Sequence, residues 1–283
     1  MRASLALCLL LLLSACREQP TASPIHDDLG RSVSMPSRVT RVVTLAPNLT
    51  EIAFAIGAGE KIVGTDDVSN YPGSALNLPK VGGMQPNIEK LIQLKPDLVL
   101  ASTEGNHPNL ARALEAAKIP LYVVRTDRLA EIAPAMKRIG QLLDAPGTDD
   151  AIRDLEAAIA AQKRMRSNGT RILFAVWTDP LYVAGRETFM DDLYTLTGAQ
   201  NAVPLNGWPQ YSLESFVATP PQLFLYPKGS VTEEQVKALF VRAPNIHAKI
   251  VAVDQDIFQR PGPRVAEAAK ALNGILDESG GAP

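Results

Sequence analysis

Cysteine occurs at only two places in this 283-residue chain, Cys8 and Cys16, both near its start. A body without thiols holds no disulfide and no paired-cysteine metal or redox site, so its stability rests on burial. Histidine is almost as scarce. His26, His107 and His247 are the three, with no His-Glu-x-x-His run, and the chain has no Gly-x-Ser-x-Gly elbow. The usual metalloprotease and serine-hydrolase signatures are missing, and no catalytic activity is expected. An excess of charge is lacking too: 28 Lys and Arg stand against 30 Asp and Glu, with no basic stripe. Such a chain generates no field that draws nucleic acid. Gly57-Ala58-Gly59 with Gly64 ends a helix and enters a strand. That order is the reverse of the one that aims backbone amides at a dinucleotide phosphate. Asp66 and Asp67 are paired carboxylates, but adjacent residues in a strand-end loop rarely face one site.

Long apolar runs are also lacking, apart from Leu5 to Leu13, which is too short to span a bilayer. Arg2 precedes it and Leu13-Ser14-Ala15-Cys16 follows, the order of a secretory signal over residues 1–15. The cysteine resembles that of a bacterial lipobox, which implies cleavage before Cys16 and acylation of its thiol and new amino group. Acyl chains at ~0.8 kcal/mol per buried methylene anchor a protein stably when two or more are present. Residues 16–37 then read as a lipidated tether and N-terminal extension, polar and proline-bearing from Arg17 to Pro24.

What the body does contain is a pattern that occurs twice. Ile88-Glu89-Lys90-Leu91 through Pro96-Asp97-Leu98-Val99-Leu100 and Leu213-Glu214-Ser215-Phe216 through Pro221-Gln222-Leu223-Phe224-Leu225 each read as a short helix, a proline break and a buried strand. The copies are offset by 125 positions, from Glu89 to Glu214, far beyond a solenoid period, so a duplicated lobe is expected. Strand signals at Val42 to Leu45, Ile62 to Gly64, Leu98 to Ala101 and Leu121 to Val124 alternate with helical ones, including Leu110 to Ala117. Asn48-Leu49-Thr50-Glu51 reads as a capping box, with Asn48 capping and Glu51 reaching back, on a helix that stops at Gly57. After Gly169 the series restarts with strands at Arg171 to Trp177, Leu223 to Tyr226 and Ile250 to Val253. Helices are expected near Phe189 to Leu196, at Glu233 to Phe240 and from Arg264 to Leu276. This βα alternation predicts two layered α/β lobes, 38–147 and 169–278, with enough residues for a core in each.

Between the lobes, Asp149 to Ser167 lacks proline and glycine and sets Ile152, Leu155, Ala158, Ile159 and Gln162 on one face. A core helix of one larger domain would show the same stripe. The repeat on both sides favours a stiff connector over 148–168, in which Asp149 to Ser167 makes roughly 28 Å of helix.

Arg41-Val42-Val43-Thr44-Leu45-Ala46-Pro47-Asn48-Leu49-Thr50-Glu51, then Val63-Gly64, Asn70-Tyr71-Pro72, Val81-Gly82-Gly83, Asn87-Ile88-Glu89 and Leu94-Lys95-Pro96-Asp97-Leu98-Val99, follow in an order that resembles the helical-backbone substrate-binding proteins of metal-chelate ABC importers. Trp208-Pro209-Gln210-Tyr211-Ser212-Leu213-Glu214, Asp256-Ile257-Phe258-Gln259-Arg260 and Gly105-Asn106 are similar to the cobalamin-binding members. The resemblance implies two Rossmann-like α/β lobes joined by one long backbone helix, the class III periplasmic-binding-protein architecture. It also implies a monomer that takes cobalamin or a related corrinoid as cargo, has no resident cofactor, and serves an ABC permease dimer with its ATPase. In that family one glutamate per lobe docks an arginine pocket of the permease, and Glu89 and Glu214 hold those positions here. A helix N-terminus capped by Asn87 or Ser212 also favours a glutamate for its own sake.

A corrinoid is a broad ring with amide arms, so its pocket needs aromatic faces and polar groups at the rim. Tyr71, Trp208 and Phe258 lie in loops where ligand residues tend to sit, with Tyr182 as a further candidate. Asp256 and Arg260 can meet amides or pair with each other. Trp177 suits a core as well as a pocket. His107 is a loop residue, better read as solvated than as a cobalt ligand. The cobalamin pattern carries tryptophans near Gly82-Gly83-Met84 and just after Ala101, where this chain has glycines and Ser102. This leaves cobalamin, a precursor such as cobinamide, or another chelate as the ligand. Haem-binding relatives carry a tyrosine and an arginine in the turn occupied by Gly83-Met84-Gln85. A ferric siderophore or haem protein of the same family is the alternative, and a tetrapyrrole-processing enzyme a distant one.

Overall fold

The structure, a computed structural model, describes residues 25–103, 108–164 and 169–280. The signal segment, Cys16, the tether to Pro24, Gly105-Asn106, His107 and the last residues of the expected connector lie outside the described residues.

A short antiparallel hairpin, β1 (Ile25–His26) and β2 (Ser32–Val33), comes first. The Asp28 amide donates to Val123 O at 3.0 Å, so the hairpin turn covers the edge of the first sheet. That sheet has β3 (Val42–Thr44), β4 (Ile62–Thr65), β5 (Leu98–Ser102) and β6 (Leu121–Val124) in the order β4-β3-β5-β6, all parallel. The second sheet has β7 (Arg171–Thr178), β9 (Gln200–Asn201), β10 (Leu223–Lys228) and β11 (Lys249–Asp254) as parallel neighbours in the order β9-β7-β10-β11. The two orders are equivalent, as the repeated pattern predicts. An antiparallel β8 (Leu181–Val183) on the far half of β7 has no counterpart in the first lobe.

Helices connect the strands: α1 (Pro47–Ala55), α2 (Ile88–Gln93), α3 (Pro108–Ala116), α4 (Leu129–Leu143) and α5 (Thr148–Ala160), then α6 (Phe189–Leu196), α7 (Leu213–Ala218), α8 (Glu233–Val241), α9 (Gln255–Phe258) and α10 (Val265–Gly280). Pro134 interrupts the helical reading of α4, which the sequence signals passed over.

Strand alternation sorts the apolar residues between layers. Val42, Leu98, Leu100 and Val124 of the first sheet join Ile172, Phe174, Leu225 and Val253 of the second in one continuous core, filled by α1, α4, α6 and α10. Val43, Val99 and Val123 face an outer core of the first lobe, and Leu173, Ala175 and Phe224 one of the second. The lobes therefore share their inner core, which restrains their relative motion more than a connector alone would.

The connector is shorter than the sequence predicts. α5 ends at Ala160, after 13 residues or about 20 Å. Its exit is set by the second lobe: the Arg164 amide donates to Leu196 O at 3.0 Å, and the Arg164 guanidinium reaches Asn273 Oδ1 at 2.6 Å and Asp277 Oδ1 at 2.7 Å on α10. α4 and α5 pack closely at Gly140, where a Cβ would lie 2.2 Å from Thr148 Oγ1.

Candidate functional site

In open parallel sheets, binding groups collect beyond the carboxyl ends of the strands. Here those ends meet across the lobes. α1 follows β3, the 66–72 loop follows β4, and α9 with the 259–264 loop follows β11. The α1 sequence does not cap as its pattern suggests. Ala46 is the N-cap and Pro47 the first helical residue, which places Asn48 and Glu51 inside the helix, both buried. Asn48 Nδ2 donates to Thr126 Oγ1 at 2.9 Å and to Pro261 O at 3.2 Å in the other lobe. Glu51, only 3% exposed, is gripped by two arginines of the second lobe. Arg264 donates from Nε to Oε2 at 2.9 Å and from Nη2 to Oε1 at 2.6 Å, and Arg260 Nη1 donates to Oε1 at 3.0 Å. A Cβ at Gly262 would sit 3.4 Å from Asn48 Cβ, in van der Waals contact, so the 259–264 loop passes close against α1 across the seam.

Arg260, 7% exposed, is the centre of this network. It also donates to Asn70 Oδ1 at 2.7 Å, to Val68 O at 3.0 Å and to Asp256 Oδ1 at 2.6 Å. Asn70 Nδ2 closes the ring by donating to Asp256 Oδ2 at 2.8 Å. Asp256 and Arg260 thus pair with each other, and their remaining polar atoms bind the first lobe. The Arg264 guanidinium carbon lies 4.1 Å from the centre of the Tyr71 ring, a cation–π contact on one ring face. Hydrogen bonding to Glu51 pushes the Arg264 pKa up, so the cation persists at any physiological pH. A second bridge crosses at α4 and α6, where Arg128 pairs with Asp192 and the Leu129 amide donates to Asp192 Oδ2 at 2.8 Å.

The candidate aromatics divide. Tyr71 is 46% exposed beside the network and Tyr182 39% exposed on β8. Trp208 is half-buried, its ring 5.8 Å from that of Phe189 and tilted by 50°. Phe258 is a correction: it is 1% exposed, its ring stacked on Phe174 at 6.4 Å, and it offers no face to a ligand. The single turn of α9 points it inward, where full burial of such a ring is worth roughly 1.5–3 kcal/mol. Glu51, Asn70 and Arg264 were missed by the sequence reading. A carboxylate among Leu49, Ile52 and Ala53 on one helix needs a buried partner, and that was the available signal.

Glu89 and Glu214 are both exposed at the second position of their helices, α2 and α7, and neither forms an ion pair among the described residues. Asn87 Oδ1 accepts from the Lys90 amide at 2.9 Å and Ser212 Oγ from the Ser215 amide at 3.0 Å, so each helix start is capped in the same way. Among the described residues no group of three or more His, Cys, Asp or Glu is placed to hold a metal ion, and no helix is long and apolar enough to cross a membrane.

Two parallel-sheet lobes meeting at their carboxyl ends over a shared core define a two-lobed solute-binding protein of class III architecture. The chain belongs to the periplasmic binding protein family, whose model matches residues 42–261. Proteins of this family are the substrate-binding components of ABC importers and work with a permease and its ATPase; they are not enzymes. The chain is 30% identical over 252 residues to a vitamin B12-binding protein of Pectobacterium atrosepticum, covering 84% of this chain and 88% of that one. Among solved structures it is similar to the apo periplasmic haem-binding protein RhuT of Roseiflexus sp. RS-1, with a TM-score of 0.75, 25% identity, and coverage of 85% of this chain and 99% of that one. It is also similar to the periplasmic vitamin B12-binding protein BtuF of Vibrio cholerae, with a TM-score of 0.67, 25% identity, and coverage of 87% and 100%.

Proposed function

We propose that this protein captures cobalamin or a related corrinoid between its lobes and delivers it to an ABC permease. The observation that carries the reading is the exposed Tyr71 ring beside the Asn70, Asp256 and Arg260 network at the seam between lobes, with the half-buried Trp208 ring on the second lobe. Rings suit the face of a macrocycle, and a carboxylate beside a guanidinium suits its amide arms, which both donate and accept. The relative named for vitamin B12 binding, at 30% identity over most of the chain, supports the same ligand class. Tyr182 extends the aromatic surface. Glu89 and Glu214 dock the permease dimer, one from each lobe, and set orientation more than affinity, since exposed ion pairs are worth only ~0–1 kcal/mol each. The protein acts as a monomer in the periplasm, held to a membrane through lipids on Cys16.

Haem is the second reading, favoured by the likeness to the haem-binding RhuT structure. Titration calorimetry with cyanocobalamin, cobinamide, haemin and a ferric siderophore separates the two. One-to-one submicromolar binding of either corrinoid is the expected result. Haemin or siderophore binding without corrinoid binding would overturn the corrinoid assignment and leave the importer role standing.

A further inference from the structure

Trp177 is the last residue but one of β7, and simple alternation turns it away from the seam, because Leu173 and Ala175 before it lie in the outer core. A β-bulge reverses its direction. β7 pairs Ala175 with Val183 and Thr178 with Leu181, which leaves both Val176 and Trp177 opposite Tyr182. Ala175, Val183 and Leu181 share the outer core, whereas Val176 packs on the core shared by the lobes. Trp177 therefore projects with Tyr182 on the side of the shared core, at the carboxyl end of the strand.

The next segment continues that face. The Val183 amide donates to Pro209 O at 3.1 Å and the Gly185 amide to Gly207 O at 2.8 Å, an antiparallel register that sets Ala184 opposite Trp208. The same register sets Tyr182 opposite Gln210. Ala184 lies in the shared core and Trp208 packs against it. Trp177, Tyr182 and Gln210 thus form one cross-strand row, with neighbours about 5 Å apart, and Trp208, two residues along the chain from Gln210, stands on the same face. The Trp177 Nε1–H donates to Asp179 O at 3.0 Å, which pins the indole edge, while the residue remains 42% exposed. In the first lobe the exposed Tyr71 ring already carries Arg264 on one face. The larger uncovered aromatic area belongs to the second lobe.

We infer that Trp177 is a ligand-stacking residue, which with Tyr182 prolongs the Trp208 face into a surface broad enough for a flat metal-chelating macrocycle. The inference rests on the proposed function and adds to it the part of the site that grips the ring. Its test titrates the purified full chain, as wild type, Trp177→Ala, Trp177→Phe and Trp208→Ala, with cyanocobalamin, cobinamide and haemin. Trp177→Ala is expected to weaken binding of the macrocycle about ten-fold or more, with an unmoved thermal midpoint. The loss should be equal for cyanocobalamin and cobinamide, which share the ring, and Trp177→Phe should restore affinity to within about three-fold. Unchanged affinity in Trp177→Ala, beside a loss in Trp208→Ala, would overturn this inference and leave the ligand class standing. A loss confined to cyanocobalamin would place Trp177 against the nucleotide loop and overturn stacking on the ring. A lowered midpoint that phenylalanine does not rescue would make the residue structural. A wild type that binds none of the three would overturn the proposed function, and this inference with it.

Discussion

Glu51 of the first lobe and Arg264 of the second meet in a two-point contact, Nε to Oε2 at 2.9 Å and Nη2 to Oε1 at 2.6 Å, across 213 positions of sequence. With Arg260 also on Oε1, one buried carboxylate answers two guanidinium groups at the seam. Removing it takes the counter-charge from Arg264 and leaves Arg260 with Asp256 alone at a largely buried seam, and breaking such a buried pair typically costs about 3–5 kcal/mol. Glu51→Ala is expected to lose stability in that range, read from urea unfolding. A midpoint equal to wild type would show that the shared core alone holds the lobes.

Asp66 carries a pH dependence. Burial pushes its carboxyl above the ordinary 3.8, against the pull of hydrogen bonds from Ser69 and Val68 and the charge of Lys80. A raised acid keeps its proton in the folded chain after the unfolded chain has released it. Its contribution is therefore full below about pH 3.8 and is lost as pH rises through the folded value. The stability of wild type relative to Asp66→Asn should fall across that window and level off above it. Unfolding curves from about pH 3 to about pH 8 check this, and a difference that grows with pH would contradict it.

The docking role predicts a separation of effects. Glu89→Ala with Glu214→Ala should leave ligand affinity unchanged, because both side chains are exposed at helix starts away from the Glu51–Arg260 network, yet abolish uptake through the permease. Weakened binding by the purified double variant would refute the assignment.

The proposed lipid anchor predicts that Cys16→Ser releases the protein from membranes, because the acyl chains that hold it are then absent. Fractionation of cells carrying the variant reads this directly. Continued pelleting with membranes would argue against lipidation at that residue.

Much of the fold was legible because its signals are local. The runs at Val42, Leu98, Leu121 and Leu223 are buried parallel strands, and the twin helices bearing Glu89 and Glu214 start at Asn87 and Ser212 as their caps suggest. The site was legible only in part. Asp256 and Arg260 do pair with each other, one of the two arrangements their sequence allowed, but Phe258, read from the same loop, turns inward onto Phe174. The Asn48 to Glu51 motif satisfied a capping pattern, and Pro47 at the first helical position moved the cap to Ala46. A spacing rule describes what a segment offers its own backbone and is silent on distant partners.

Residue order by itself determined the duplicated series of strands and helices and the two helix starts that carry Glu89 and Glu214, because hydrophobic period, proline breaks and caps act over a few residues. Only the tertiary structure decided which charges and rings meet. The partners of Glu51 lie more than 200 positions away, and the side on which Trp177 stands depends on one extra residue in a strand pairing. Both follow from docking one lobe on the other and one strand on its neighbour, which no local pattern encodes.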